Sequence, residues 1–365
     1  MKKRILIVVG TRPNFVKITQ FKKVAEKYSD LDLRIVHTGQ HFDAKMSDIF
    51  LKQFKIKVDY FLDINGTTAN SLIGHVILKL ETVISEFNPD LLLCVGDVNS
   101  TLAAAICANK LKIKLGHIES GLRSLDKEMP EEVNRILTDE ISDICFVTEK
   151  SGIQNLKKMG KKDAQIFFVG NTMIDTLVHF KSEIEASSIL EEIQAEKQDY
   201  FLVTMHRPRN VDTKEALLKI IDLFENTTKI KKVVFSIHPR TLNNFNKFGL
   251  FEQLNTIENL TIIEPQNYFS FQKLIAHAFC VITDSGGIQE ETTFLQVPCI
   301  TLRENTERPS TIEEGTNTLM SFKTDEILEA IQEIFKGKLK TATIPKHWDG
   351  HATERIIKKS MEFLV

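Results

Sequence analysis

The 365-residue sequence has few cysteines and almost no excess charge of either sign. Its five cysteines show no C-x-x-C spacing and lie mostly in apolar runs, which favours buried free thiols over metal ligands or disulfides and is typical of a reducing compartment. The formal net charge of −2 excludes an overall basic field for nucleic acid or an anionic membrane. Any phosphate chemistry must therefore come from local arginines and backbone donors.

Long hydrophobic runs are also lacking. The N-terminus begins like a signal peptide, but its apolar run is short and ends at Gly10–Pro13 without a small-residue cleavage site. No other run is long enough to cross a bilayer. We therefore expect a soluble, cytoplasmic protein whose first apolar run is a buried strand.

Short apolar runs alternate with amphipathic helical patterns, which predicts doubly wound parallel sheets. The length suits two domains, and a charged connector at about Glu183–Gln198 separates two series of strands. We predict an α/β fold with two Rossmann-like domains whose parallel sheets face across a cleft. The predicted bounds are 1–175 for the N-terminal domain, 176–345 for the C-terminal Rossmann-like domain and 346–365 for a C-terminal helix that packs back on the N-terminal domain. The predicted strands are Ile5–Val9, Leu33–His37, Leu91–Val95, Lys114–Ile118, Ile144–Val147 and Ile166–Val169, then Phe201–Thr204, Val233–Ile237, Leu260–Ile263, Cys280–Thr283 and Cys299–Leu302.

The segment Thr283–Glu291 (TDSGGIQEE) is the sharpest local motif. A strand ends, two glycines allow close backbone approach, and a helix begins whose unpaired N–H groups favour an anion such as a diphosphate. The alternative, an ordinary helix capped by Asp284 or Ser285, is equally consistent with the motif alone. The spacing is neither that of a dinucleotide fold nor that of a P-loop, which argues against NAD binding and ATP hydrolysis.

Ligands of open parallel sheets lie beyond the carboxyl ends of the strands, and acidic groups recur there in the first half of the chain. Asp97, Glu119 and Glu131 follow neighbouring predicted strands, so we expect them to converge and to provide acid and base roles. Glu131 and Arg135 are four residues apart on one helix face, which suggests either a cleft carboxylate held by Arg135 or an exposed ion pair. His206 would face these carboxylates from the other domain.

Together, motifs along nearly the whole chain resemble the non-hydrolysing UDP-N-acetylglucosamine 2-epimerase family, which has the GT-B fold. The motifs are Gly10–Pro13, Thr38–His41, Gly96–Thr101, His117–Arg123, Pro130–Arg135, Val169–Asn171, His206–Arg207, Thr283–Glu291, Thr306–Pro309 and Glu314–Asn317.

The resemblance implies interconversion of UDP-GlcNAc and UDP-ManNAc, for surface polysaccharide precursors. UDP leaves by anti elimination across C1–C2 and adds back after C2 is protonated on the other face, without a metal or redox cofactor. The catalytic residues it implies are Asp97, Glu119, Glu131 and His206. The implied substrate-binding residues are Arg12, Lys17, Gln40, His41, Arg135, His238, Ser285, Gly286, Gly287, Glu291 and Arg308.

The sequence departs from the family pattern at three places. Arg209 replaces a glutamate or small polar residue after the His206–Arg207 pair, and Ser120 replaces an alanine. The segment Gln40–Ser47 differs from that of members with a second, regulatory UDP-GlcNAc site, because Phe42 and Asp43 stand where polar and amide contacts are expected. We therefore expect no substrate activation. A related UDP-N-acetyl sugar, such as a UDP-diacetamido-uronic acid, is an alternative substrate.

Three other functions are compatible with parts of this pattern: a GT-B glycosyltransferase, a hydrolysing epimerase and a silent nucleotide-sugar-binding protein. A glycosyltransferase has no need of a C2 base and a C2 acid. A silent binding protein has no need of an intact acid/base set. Only the family resemblance distinguishes a non-hydrolysing epimerase from the hydrolysing type. The resemblance also implies a homodimer.

Overall fold

The computed structural model describes residues 2–39, 50–64, 68–338 and 341–365. The chain divides into two compact units. Unit 1 comprises Met1–His179 and Lys346–Val365, and unit 2 comprises Phe180–Pro345. None of the helices in these described ranges is long and apolar enough to cross a membrane.

Within its described residues, unit 1 contains a seven-stranded parallel sheet in the order β3-β2-β1-β4-β5-β6-β7. Its strands are β1 Lys3–Val9, β2 Leu31–His37, β3 Tyr60–Phe61, β4 Leu91–Val95, β5 Lys114–Ser120, β6 Ile144–Val147 and β7 Ile166–Phe168. Its helices are α1 Arg12–Ile18, α2 Phe21–Ala25, α3 Ala69–Phe87, α4 Asn99–Lys110, α5 Pro130–Ile141, α6 Lys150–Lys158 and α7 Thr172–His179.

Unit 2 contains a parallel sheet of six strands in its described part, in the order β10-β9-β8-β11-β12-β13. Its strands are β8 Tyr200–Thr204, β9 Lys232–Ser236, β10 Leu260–Ile263, β11 Cys280–Thr283, β12 Cys299–Leu302 and β13 Asn317–Met320. Its helices are α8 Lys181–Glu185, α9 Ile189–Glu192, α10 Pro208–Val211, α11 Lys214–Thr227, α12 Pro239–Lys247, α13 Phe251–Asn255, α14 Tyr268–His277, α15 Gly286–Leu295, α16 Pro309–Glu313 and α17 Thr324–Phe335.

The predicted α/β class with two parallel-sheet domains is confirmed, because both sheets are parallel and their central strands are apolar runs covered on both faces. In β4 every side chain is buried. Two strands were missed. Tyr60–Phe61 is a two-residue edge strand with a largely exposed Phe61, and Asn317–Met320 begins with an amide and exposes Thr318. Neither segment has the continuous apolar pattern that identifies a buried strand.

The C-terminal segment belongs to unit 1, where its last helix, α18 (Ala352–Phe363), is anchored by two buried groups. Trp348 donates from Nε1 to the carbonyl oxygen of Thr148 at 3.0 Å. The carboxylate of Asp175 accepts from the backbone N–H groups of Ala352 at 3.0 Å and Thr353 at 2.6 Å, at the start of α18. An acidic side chain at a helix N-terminus is the favourable polarity.

All five cysteines are buried and free, as their apolar surroundings predict. Burial raises the pKa of Cys299 to about 11 and that of Cys107 to about 11. Because the thiolate is the reactive form, these side chains act as small apolar core residues.

Candidate active site

The carboxyl ends of β1, β4 and β5 lie side by side in unit 1. We call the residues that follow them edge 1. Edge 1 comprises residues 10–17, 96–101, 119–125 and 130–135.

Glu119 is aimed by an irregularity in its own strand. The pairing of β5 with β6 shifts register between Ile118 and Ser120, and Glu119 itself has a positive φ of 73°. A β-bulge re-aims a side chain at the rim of a sheet, and a non-glycine residue with positive φ needs compensating contacts. Here the side chain is buried and paired with the ammonium group of Lys17, which is also buried.

Asn14 joins the turn after β1 to the end of β4. Its Oδ1 accepts from the backbone N–H groups of Gly10 and Thr11 at 3.1 Å, and its Nδ2 donates to the carbonyl oxygen of Val95 at 3.1 Å. The next residue, Gly96, has φ 70°, and a Cβ there would lie 3.3 Å from both Asn14 Nδ2 and Lys17 Nζ. Lys17, Glu119 and the start of the Asp97 loop are therefore packed closely together.

Arg135 pairs with Asp97 and not with Glu131. Arg135 contacts the carboxylate of Asp97 and also lies 3.1 Å from Glu132 Oε2. Glu131 is exposed, while Glu132 is buried and accepts from Ser124 N at 2.8 Å. The predicted pairing of Glu131 with Arg135 is thus wrong: the inward face of α5 carries Glu132 and Arg135, and Glu131 lies outside that face. Its catalytic role stays a prediction.

A corresponding set of loops, which we call edge 2, follows the strands of unit 2. Edge 2 comprises residues 205–210, 237–240, 284–291 and 303–308. Its organising group is the buried Asp284. The Asp284 carboxylate accepts from the backbone N–H groups of His206 at 3.1 Å and Arg207 at 2.9 Å, and it lies 3.1 Å from His206 Nδ1.

These contacts decide the ionisation of Asp284 and the role of the motif around it. Burial alone would raise the pKa of Asp284, but the hydrogen bonds and charge of His206, with the N–H of Arg207 and the amide of Asn210, hold it below its usual value. Asp284 is therefore not the cap of α15. Ser285 occupies the N-cap position and its side chain makes no capping hydrogen bond, so the first turn of α15 presents backbone N–H groups of the kind that bind anions.

Arginines surround the start of α15. A Cβ at Gly286 would lie 2.9 Å from Arg308 Nη1 and 3.1 Å from Glu307 Oε1. Arg308 is buried, 2.8 Å from Glu290 and 2.6 Å from Glu307. Arg303 lies 3.0 Å from Glu307. Burial lowers the pKa of Arg303, the charges of Arg207 and Arg308 lower it further, and the charge of Glu307 opposes them.

The remaining predicted residues of unit 2 also lie on edge 2. The rings of His206 and His238 are 5.3 Å apart between centroids, and His238 Nδ1 accepts from Arg240 N at 3.1 Å. Gly287 follows Gly286 in the first turn of α15. Glu291 is buried. Burial, and then the charge of Glu291, raise the pKa of the Tyr268 phenol.

In unit 1, Arg12 is exposed, with its guanidinium carbon 4.3 Å from the centre of the Phe50 ring. Gln40, His41 and the Phe42–Asp43 substitution of the predicted regulatory segment lie outside the described residues. The sequence analysis missed the contacts of three polar residues that organise the two edges: Asn14, Glu132 and Asp284. Glu132 and Asp284 stand inside motifs that were recognised and Asn14 directly follows one, so only their contacts identify their roles.

The fold and the two edges define a class: a two-domain α/β protein of the GT-B type. One sheet edge carries two carboxylates that are each paired with a cation, and the other carries a helix start whose N-cap side chain makes no capping hydrogen bond. The family model for UDP-N-acetylglucosamine 2-epimerase matches residues 23–360. The chain belongs to this family.

Individual relatives agree with this assignment. The UDP-N-acetylglucosamine 2-epimerase of Methanocaldococcus jannaschii is 38% identical over 361 residues, covering 97% of this chain and 98% of the relative. The UDP-2,3-diacetamido-2,3-dideoxy-D-glucuronate 2-epimerase of Pseudomonas aeruginosa is 39% identical over 331 residues, covering 90% and 91%. The crystal structure of the M. jannaschii enzyme in complex with UDP-GlcNAc and UDP has a TM-score of 0.88 and 37% identity, over 98% of this chain and 99% of that chain.

Proposed function

We propose that the protein is a UDP-N-acetylglucosamine 2-epimerase that interconverts UDP-GlcNAc and UDP-ManNAc by elimination and re-addition of UDP. The observation that carries this proposal is the pairing of each of two edge 1 carboxylates with its own cation, Glu119 with Lys17 and Asp97 with Arg135. A family whose relatives act on UDP-GlcNAc needs groups of this kind to move a proton at C2.

Edge 1 would supply proton transfer. The C2 proton is weakly acidic, so its removal requires a positioned carboxylate, and its return on the other face requires a second acid. Asp97, Glu119 and Glu131 are the proposed acid/base groups. The buried cations Lys17 and Arg135 would hold Glu119 and Asp97 in position and compensate their charge.

Edge 2 would bind the UDP part and stabilise it as it leaves. The N–H groups at the start of α15, at Ser285, Gly286 and Gly287, are suited to the diphosphate. Arg308 lies beside Gly286. His206, held against Asp284, would stabilise or protonate the departing diphosphate, and Glu291 would accept hydrogen bonds from the ribose diol. His238 and Arg12 would complete the binding residues.

Proton NMR of UDP-GlcNAc incubated with the protein in D₂O tests the proposal. We expect reversible formation of UDP-ManNAc with deuterium incorporated at C2. Consumption of UDP-GlcNAc without label at C2 would indicate a transferase or a simple hydrolase and would contradict the epimerase. Free ManNAc with label at C2 would indicate the hydrolysing type of epimerase.

A second substrate is favoured by one comparison. The P. aeruginosa relative, whose name specifies UDP-2,3-diacetamido-2,3-dideoxy-D-glucuronate, is as similar to this chain as the M. jannaschii enzyme is. The same C2 chemistry would then act on a sugar with a carboxylate at C6. Competition between the two UDP-sugars at equal concentration, read as the ratio of kcat/KM, identifies the preferred substrate.

We also propose that the protein is a cytoplasmic homodimer, as in the family it resembles, and that it lacks activation by its substrate. Light scattering after gel filtration measures the first. For the second, initial rates from UDP-ManNAc alone should show no lag, whereas a lag abolished by trace UDP-GlcNAc would reveal a regulatory site.

A further inference from the structure

A buried histidine beneath edge 1 joins the two loops that carry Asp97 and Glu119. His117 lies on β5 and is fully buried. Its Nε2 is 2.7 Å from the carbonyl oxygen of Gly96, directly before Asp97, and its Nδ1 is 2.6 Å from Asp139 Oδ1. Asp139 Oδ2 in turn accepts from the backbone N–H of Gly121, two residues after Glu119, at 3.0 Å.

The partners of the ring determine where its protons are. A carbonyl oxygen only accepts hydrogen bonds, so Nε2 must carry a proton. The Asp139 carboxylate also receives Gly121 N–H and Arg123, whose Nη2 is 2.7 Å from Oδ2. Burial alone would raise the pKa of Asp139, but the charges and hydrogen bonds of His117 and Arg123 hold it below its usual value. An ionised Asp139 accepts at both oxygens, so Nδ1 must donate as well.

The neighbouring strands add no competing charge. Cys94 on β4 and Cys145 on β6 are the register partners of His117. Burial and then the Asp139 charge raise the pKa of Cys145 to about 12, and the same two causes raise that of Cys94 well above its usual value. Both thiols are therefore neutral. The charged groups that face the ring are Asp139 and, through it, Arg123.

We propose that His117 is a positioning residue of the epimerase, a donor of two hydrogen bonds that sets the distance between the Asp97 loop and the Glu119 turn. This rests on the proposed function. One bond holds the Gly96 carbonyl, and the other acts through Asp139 on the backbone at Gly121. Since misplacement of a reacting group by about 1 Å can cost about a hundredfold in rate, loss of this link lowers kcat while the binding of UDP by edge 2 is retained.

Three substitutions separate the two bonds. In His117→Gln the side-chain amide can reach the Gly96 carbonyl but not Asp139. In His117→Asn the amide can reach Asp139 but not Gly96. His117→Phe removes both. We expect kcat to fall about a hundredfold in the Phe and Asn variants and to stay within about tenfold of wild type in the Gln variant, with KM changed less than about threefold in all.

Cys94→Ala is the matched control, because it alters the register partner of His117 without touching either link. It should keep wild-type kcat even if its melting temperature falls. Isothermal titration with UDP verifies that each variant is folded. A fully active Phe variant, or a Gln variant as slow as the Phe variant with UDP binding intact, would overturn the proposal. An inactive wild type would instead overturn the epimerase function.

The proton positions are measured in the wild type, and any one of the three His117 variants that folds is enough to assign the His117 signals. In protein labelled with ¹⁵N-histidine at neutral pH, the His117 signals, assigned by their absence in a variant, should show protons on both ring nitrogens. A ring nitrogen without a proton would contradict a double donor.

Discussion

The two sheet edges hold their carboxylates by different kinds of donor. On edge 1, Glu119 and Asp97 are paired with Lys17 and Arg135 through their side chains. On edge 2, Asp284 accepts from the backbone N–H groups of His206 and Arg207 in addition to its side-chain contacts with His206 and Asn210, and so orders the loop that bears His206. Side-chain pairs can change partners as a proton moves, whereas a carboxylate fixed by backbone donors is part of the framework. This difference agrees with the proposed roles, proton transfer at edge 1 and UDP binding at edge 2.

Removing the charge of Glu119 is the most severe test of this difference. Glu119→Gln should lower turnover at least about a hundredfold, the usual contribution of an acid–base group, with UDP affinity unchanged. Deuterium incorporation at C2 and UDP titration measure the two effects. Asp97→Asn, Glu131→Gln and His206→Ala should each have losses of the same order. Glu140→Gln, an exposed change on α5, is the control, and a near-normal rate in any of the four test variants would remove that residue from the mechanism.

A glycine on edge 1 tests how tightly the Glu119 turn is built. Gly121 has φ 82°, and a Cβ there would overlap the backbone carbonyl of Gly152 at the start of α6. Gly121→Ala should reduce the free energy of unfolding by about 2.5 kcal/mol, from backbone strain plus overpacking. Gly160→Ala, at φ 89° with nothing within 4 Å of the added Cβ, isolates the strain and should cost only about 1–2 kcal/mol. Equal losses in urea unfolding would show that the close approach is unimportant.

Asp284 and Asp175 are buried aspartates whose pKa values are shifted in opposite directions. The pH dependence of the free energy of unfolding therefore distinguishes their surroundings. The pKa of Asp284 in the folded protein lies below its ordinary value of 3.8. Its contribution to the free energy of unfolding is therefore fully present above the ordinary pKa and is lost as the pH falls through the lower, folded-state pKa. Asp284→Asn should therefore cost about 2 kcal/mol at pH 7 and flatten the decline in stability below about pH 4.

Burial raises the pKa of Asp175. Its contribution to the free energy of unfolding is therefore fully present below the ordinary pKa and is lost as the pH rises through the higher, folded-state pKa. Asp175→Asn removes this loss of stability with rising pH. The asparagine side chain, however, has one acceptor oxygen for the two backbone donors Ala352 N–H and Thr353 N–H. We expect a change below about 1 kcal/mol at pH 7. Urea unfolding of both variants from pH 3 to 7 measures these slopes, and similar slopes would contradict the assigned shifts.

The start of α15 offers a test through UDP affinity, with little effect on stability. Gly286→Ala places a methyl group 2.9 Å from Arg308 Nη1, which must displace that side chain. UDP affinity should fall about tenfold, or about 1.4 kcal/mol, with little change in stability. Gly74→Ala within α3, where nothing lies within 4 Å of the new Cβ, should leave UDP affinity unchanged and add about 0.5–1 kcal/mol of stability. Unaltered affinity for Gly286→Ala would exclude Arg308 and the helix start from the UDP site.

Much of the fold follows from local patterns. The apolar runs Leu91–Val95 and Ile144–Val147 were predicted as strands with the bounds that the structure has. Continuous apolar runs and amphipathic periodicity are properties of neighbouring residues, so the sequence displays them directly. The short edge strand Tyr60–Phe61 has no such pattern, because its pairing with β2 depends on the rest of the sheet.

The sequence by itself determined which residue types follow each strand, and hence that carboxylates collect on edge 1 and glycines with arginines on edge 2. Tertiary structure alone decided the partners. Helical spacing suggested Glu131 for Arg135, yet Arg135 contacts Asp97 and Glu132. The positive φ of Glu119, the link through His117 and the fixing of Asp284 by backbone donors also arise only in the fold. These features depend on residues far apart in the chain. No local sequence pattern indicates which charged groups the folded sheet brings into contact.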